Sequence, residues 1–160
     1  MDKQRILAFW NTYQSTLPDN QIVGSKDLPE AWGFGNSPEM ANQLSQLVVE
    51  GIKTATCSLY WSYEFENEPI PKVGDLSIII DGDEIPVGII QTTEVQIKPY
   101  DQVDARFAYD EGEGDRSLTY WKEVHWHFFS IECGQIDREP KVDMPLVCER
   151  FQLIYTSPSE

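Results

Sequence analysis

The run GIKTATCSL places one lysine, Lys53, two residues after Gly51 and three before Thr56. That pairing points to acyl transfer. A threonine hydroxyl becomes a nucleophile when a neighbouring base removes its proton, and a lysine is such a base only when neutral. Neutrality takes burial or a nearby positive charge. In a regular strand, residues three apart point to opposite faces. Lys53 is therefore expected in the turn ahead of a strand, with its long side chain curling towards Thr56. A helix that stops at Gly51 works against the neutral form, because its C-terminal dipole favours the cation.

A second cluster, DEGEGD, spans residues 110–115. Its glycines allow the backbone to approach a ligand, while Glu111 or Glu113 supplies a general acid. It is not a calcium loop of the EF-hand type, because Gly112 stands at the third position, where an oxygen ligand is required. His125 and His127 diverge on the helix expected there, so no metal site is expected. No nucleophile elbow, phosphate-binding loop or dinucleotide fingerprint occurs. Four aromatics, Trp32, Phe34, Tyr60 and Trp61, flank the candidate site and could stack on a nucleobase.

Several elements must position these residues. Ile6, Phe9, Trp10, Tyr13 and Leu17 recur at helical spacing, and Pro18 ends that helix. A polar loop then leads to the aromatic-glycine run AWGFGN. Ser37 reads as an N-cap with Pro38 in the first turn, Met40, Leu44, Leu47 and Val48 form one apolar stripe, and Gly51 is the stop. The sequence TATCSLYW alternates as a strand. Two longer strands follow, joined at Asp81-Gly82-Asp83. A short helix is expected over 101–109, and Ser117 caps another whose Leu118, Trp121, His125 and Phe128 share a face. PLVCERFQLIY is the last strand. This is an α+β pattern with a small barrel-like sheet.

The chain has 160 residues, a length that suits one domain. With 41% hydrophobic and 24% charged residues it has a globular composition, and no apolar run approaches a membrane span. Its N-terminus lacks the pattern of a signal peptide. Three cysteines without a C-x-x-C pair suit reduced thiols and a cytoplasmic setting. The net charge of −15, from 27 acidic against 12 basic side chains, repels polyanions at long range. A small or weakly charged substrate fits that field better.

The segments WGFGNSPEMANQLSQLVVEGIKTATCSLYW, KVGDLSIIIDGDEIPVGIIQTTEVQIKPYDQV, FAYDEGEGDRSLTYWKEVHWHFF and VCERFQLIY together resemble the ASCH domain family, relatives of the PUA RNA-binding domain. The resemblance covers residues 27–155 and leaves 1–26 as a helical N-terminal extension of a single domain. It implies a small PUA-like β-barrel with helices packed around it, and a cleft near the Gly-x-Lys motif. The family's general motif continues with Glu-x-Arg, where this chain has Thr56 and Ser58. Gly51, Lys53, Thr54 and Thr56 match instead the Gly-x-Lys-Thr-x-Thr pattern of ASCH amidohydrolases that act on N(4)-acetylcytidine. The resemblance thus implies catalytic roles for Lys53 and Thr56, with Lys53 activating Thr56, and for Glu113, with Glu111 as the alternative acid. Trp32, Phe34, Ser58, Tyr60 and Arg116 are expected to bind the substrate. No cofactor is implied, and the partner is a nucleoside or nucleotide-like small molecule. An ASCH-type RNA-binding module or ribonuclease is the alternative, one that the net charge disfavours.

Overall fold

The computed structural model describes residues 2–18 and 28–157. Asp2 opens the first helix, α1 (Lys3–Gln14), by accepting the N–H groups of Gln4 and Arg5 on its carboxylate. The predicted loop over 19–27, and with it the expected domain start at Asp27, lies outside the described residues. Three residues of the expected loop 31–36 and its approach instead form a short strand, β1 (Glu30–Trp32). Ser37 caps α2 (Pro38–Val49) through Met40 N–H at 3.1 Å, and Pro38 stands where a missing N–H costs nothing. Gly51, at φ +78°, carries the chain out of that helix.

The next strand is shorter than its sequence suggests. β2 (Ala55–Leu59) ends before Tyr60, and Tyr60 and Trp61 begin the helix α3 (Tyr60–Glu66). β3 (Leu76–Ile80) and β4 (Pro86–Pro99) follow as expected. Asp81 organises the turn between them, its carboxylate accepting the N–H groups of Asp83 and Ile85. The helix expected over 101–109 divides in two: a 3₁₀ turn (Tyr100–Gln102), then α4 (Ala105–Glu111) capped by Asp104. Asp110 and Glu111 are thus helical, and the loop begins at Gly112. Ser117 caps α5 (Leu118–Gln135), whose buried face is Trp121, His125, Phe129 and Cys133. Phe129 takes the place expected for Phe128, since a repeat of four follows the inner stripe. β5 (Pro145–Thr156) closes the fold.

The strands are hydrogen-bonded in the order β1-β3-β4-β5-β2, so β2 is an edge strand. The chain forms two compact units, and β4 and β5 contribute to both. One contains Met1–Gly51, Gly74–Gln91 and Gln152–Glu160. In it β1 runs parallel to β3, and β3 pairs antiparallel with β4. Ile6 and Trp10 of α1 pack with Ile78, Ile80 and Ile89 as its core. The other unit contains Ile52–Val73 and Thr92–Phe151. There β2 pairs antiparallel with β5, and α4 and α5 supply Phe107, Trp121 and Phe129 to a core shared with Ala55, Leu59 and Leu146. Burying side chains of this size stabilises by about 1.5–3 kcal/mol each. All three cysteines are free thiols. Among the described residues, no helix is long and apolar enough to cross a membrane.

Candidate active site

Lys53 lies in the turn just before β2 and is 2% exposed. Four oxygens share the three N–H donors of its ammonium: Ala55 O at 3.0 Å, Glu111 O at 3.3 Å, Glu111 Oε1 at 3.0 Å and Glu113 Oε2 at 3.1 Å. Chain geometry explains the first bond. Phe151 N–H donates to Thr54 O, which turns that carbonyl towards β5. Carbonyls alternate sides along a strand, so Ala55 O faces the free edge of β2. Lys53 caps it there, beside the peptide that leads into Thr56.

The C-terminal turn of α4 supplies the carboxylates. A helix end leaves carbonyls without intrahelical partners. Here Asp110 O accepts Thr54 N–H at 2.8 Å and Glu111 O accepts the Lys53 ammonium. A cation is favoured at this end of the helix dipole. Two glycines then set the path of Glu113. Gly112 has φ +79°, and a Cβ on it would lie 2.9 Å from Ile52 O; Gly114 has φ +58°, and a Cβ there would lie 2.4 Å from the Tyr120 ring.

Glu111 is 1% exposed and gathers donors from β2 and α5 besides Lys53. Its Oε2 accepts Trp121 Nε1–H at 2.5 Å and the Cys57 thiol at 3.3 Å, and His125 Nε2 lies 3.5 Å away. His125 Nδ1 lies 2.8 Å from Trp121 O, and its ring stacks on the Trp121 indole at 4.3 Å. Cys57, Glu111 and His125 place ligand-type atoms within 4.8 Å of one another. However, Oε2 is already committed to the indole N–H and Oε1 to a cation, which makes this a hydrogen-bonded carboxylate rather than a metal-ligand set.

The electrostatics follow from these contacts. Burial would lower the Lys53 pKa, but the charges and hydrogen bonds of Glu111 and Glu113 outweigh it and leave it raised. Burial pushes Glu111 up, yet Lys53, His125 and the Trp121 indole hold it below the usual carboxylate range. Cys57 is raised well above the thiol range by burial and then by Glu111, so it is a neutral donor and not a thiolate nucleophile. Asp110, against the cost of burial, is lowered by Arg150 and Arg106, which lie 2.6 and 3.0 Å from its Oδ2.

Of the residues singled out by sequence, Lys53, Glu111 and Glu113 come together. Thr56 lies in β2 opposite Glu149, and by strand alternation its side chain leaves the face that carries Cys57. Ser58 Oγ lies 2.8 Å from Tyr63 OH, and Tyr60 and Tyr63 help to line one shallow depression on α3. Arg116 stacks on Tyr109 at 3.6 Å and donates to Tyr109 O. Trp32 and Phe34 belong to the other unit, where their rings meet edge to face at 4.6 Å. Sequence reasoning did not find Cys57, Trp121 and His125 as partners of Glu111. The available signal was the four-residue spacing of Trp121 and His125 on α5.

An α+β domain of the PUA-like class is what this sheet, its flanking helices and a buried lysine at the edge of β2 define. The ASCH domain profile matches residues 30–155. The chain is similar to the ASCH domain of Lactobacillus crispatus JV V101, with 36% identity, a TM-score of 0.88 and 94% of each chain covered. It is also similar to a protein from Enterococcus faecalis V583, with 39% identity, a TM-score of 0.85, and 94% of this chain and 88% of that one covered. No curated protein sequence matches it. The chain belongs to the ASCH domain family.

Proposed function

We propose that this ASCH domain is a hydrolase that releases an acyl group from the exocyclic amine of a nucleoside such as N(4)-acetylcytidine. The observation that carries the reading is the buried Lys53, held between Glu111 and Glu113 at the free edge of β2, three residues before Thr56 in the chain. A buried lysine bridged by two carboxylates holds charge and protons where water is scarce, which is what cleavage of an amide bond requires. Thr56 is the nucleophile and forms an acyl ester. Lys53, protonated among its neighbours, gives up its proton through Glu113 and takes up that of Thr56 as the hydroxyl attacks, so that it ends charged again. Glu113, with a side chain 12% exposed against 1% for Glu111, relays a proton from Lys53 to the departing amine. Glu111 is held ionised by its donors and is the anchor rather than the acid. Water then releases the acyl group from Thr56. Tyr60 and Ser58 follow Thr56 along the chain and are assigned to the nucleoside, as is Arg116. The net charge of −15 favours an uncharged nucleoside over a phosphorylated one. Release of cytidine from N(4)-acetylcytidine by the pure protein, followed by chromatography, tests the reading.

A further inference from the structure

Two thiols that the proposed acyl transfer does not use are set side by side by the sheet. Cys57 on β2 stands opposite Cys148 on β5, in a register that runs unbroken from Ala55 with Arg150 to Leu59 with Leu146. Carried one residue back, that register opposes Thr54 to Phe151, and there Phe151 N–H donates to Thr54 O at 3.0 Å. Thr54 and Phe151 are therefore a hydrogen-bonded pair. Along an antiparallel ladder such pairs alternate with pairs that exchange no bonds, whose Cα atoms approach to about 4.5 Å with side chains closer. Cys57 and Cys148, three positions along, fall in a pair of this second kind. A disulfide spans Cα separations of about 4.4–6.8 Å, so the spacing is within its reach. Both side chains turn to the face packed by α4 and α5: Cys148 is 4% exposed within that core, and Cys57 packs against it. Burial, and then the Glu111 carboxylate, raises both thiols, so the two sulfurs face the same charge. The third thiol, Cys133, lies on α5, outside the ladder.

We infer that Cys57 and Cys148 are a modification site, a dithiol that a hydroperoxide converts to a cross-strand disulfide. The inference stands on the sheet register and is independent of the acyl transfer. Cys57 is the half-buried member and lies on the edge strand, so it meets the oxidant first. Its sulfur, as the thiolate, bonds to one peroxide oxygen. The O–O bond breaks, and the other oxygen leaves with the thiol's proton as water or an alcohol. The sulfenic acid so formed faces Cys148. The Cys148 sulfur then bonds to the Cys57 sulfur, the S–O bond breaks, and hydroxide leaves as water with the Cys148 proton. Two thiols are oxidised by two electrons and one peroxide is reduced; a small dithiol reverses the change by exchange. At neutral pH the thiolate is the minor form, so the reaction is slow and its rate follows the thiolate fraction. The bond takes away the proton that Cys57 donates to Glu111 Oε2, so oxidation reaches the carboxylate that holds Lys53.

The test treats the full chain with hydrogen peroxide, alkylates the remaining thiols in denaturant, and maps the peptides by mass without reduction. The expected product is a single chain two hydrogens lighter, with the Cys57 peptide joined to the Cys148 peptide and Cys133 alkylated. Dithiothreitol separates the joined peptides, and raising the pH from about 7 to about 8 speeds their linkage about tenfold. Cys133→Ser keeps the link, whereas Cys148→Ser carries Cys57 on to the sulfinic or sulfonic acid. The wild-type map decides by itself if a variant does not fold. Folded wild type in which both thiols stay open to alkylation overturns the inference. So does one in which Cys57 is over-oxidised while Cys148 remains a thiol, or in which Cys133 is linked as readily as either.

Discussion

Lys53 and Glu111 are joined twice: the ammonium donates to the carboxylate at 3.0 Å and to the main-chain carbonyl of the same residue at 3.3 Å. The first bond fixes charge, and the second fixes the end of α4 against the start of β2.

Removing one partner leaves the other charge buried. Lys53→Met is expected to destabilise the protein by about 3–5 kcal/mol, the usual cost of stranding one member of a buried pair. Lys53→Met combined with Glu111→Gln should recover part of that loss, because only Glu113 of the two carboxylates then remains charged. Urea unfolding of the single and double variants measures this coupling. A double variant no more stable than Lys53→Met would show that the carboxylate of Glu111 is not what the lysine compensates.

Stability should fall at both ends of the pH scale. Glu111 and Asp110 are lowered from ordinary values of 4.5 and 3.8, so their contribution is present above those values and is lost as pH drops through the folded ones. Cys57 and Cys148 are raised from 9.0, the latter to about 12. The unfolded chain therefore releases their protons first, and stability declines as pH rises above about 9. Lys53, raised from 10.5, adds a later loss above that value. Unfolding midpoints across pH check the shape, and Cys57→Ala should weaken the decline that begins near pH 9.

Much of this arrangement is legible in the sequence where the signals are local. Ser37 and Ser117 announce helix starts, Gly51 a stop, and Lys53 falls ahead of β2 as expected, although its ammonium bonds Glu111 and Glu113 rather than curling towards Thr56. The rest depends on pairing between distant segments. β1 is three residues long and exists because β3 pairs with it, which no alternation within Glu30–Trp32 announces. Asp110 and Glu111 read as loop in an acidic, glycine-rich run, yet Asp104 caps a helix that Gly112 ends after them. The indole, thiol and imidazole around Glu111 come from β2 and α5, and only tertiary packing reveals them. Cys148 opposite Cys57 depends on strand register, which a one-residue slip would undo.

The loop that carries Glu113 should be sensitive to a single methyl group. Gly114→Ala meets both a left-handed backbone, at φ +58°, and the Tyr120 ring at 2.4 Å. The conformation alone costs about 1–2 kcal/mol. Turnover should fall further than stability does, because Glu113 shifts away from Lys53. Equal turnover at saturating substrate would show that the position of Glu113 does not matter to the reaction.

RNA should bind weakly. With a net charge of −15, affinity for single-stranded RNA at physiological salt is expected to be no tighter than about 10⁻⁴–10⁻⁶ M. Fluorescence anisotropy over a salt series measures it. Sub-micromolar binding with a steep salt slope would favour a nucleic-acid-binding role instead.

The central claim is that Thr56 carries an acyl group from an exocyclic amine to water. The measurement that tests it most directly is cytidine release from N(4)-acetylcytidine by wild type, Thr56→Ala and Thr56→Ser. The account predicts turnover by wild type, none above background in Thr56→Ala, and partial recovery in Thr56→Ser, which restores a hydroxyl. Removing one ordinary hydroxyl costs only about 0.5–1.5 kcal/mol of stability, so Thr56→Ala remains folded and its loss reports chemistry. Undiminished cytidine release by Thr56→Ala, or none above background by wild type at high protein concentration, would contradict the account.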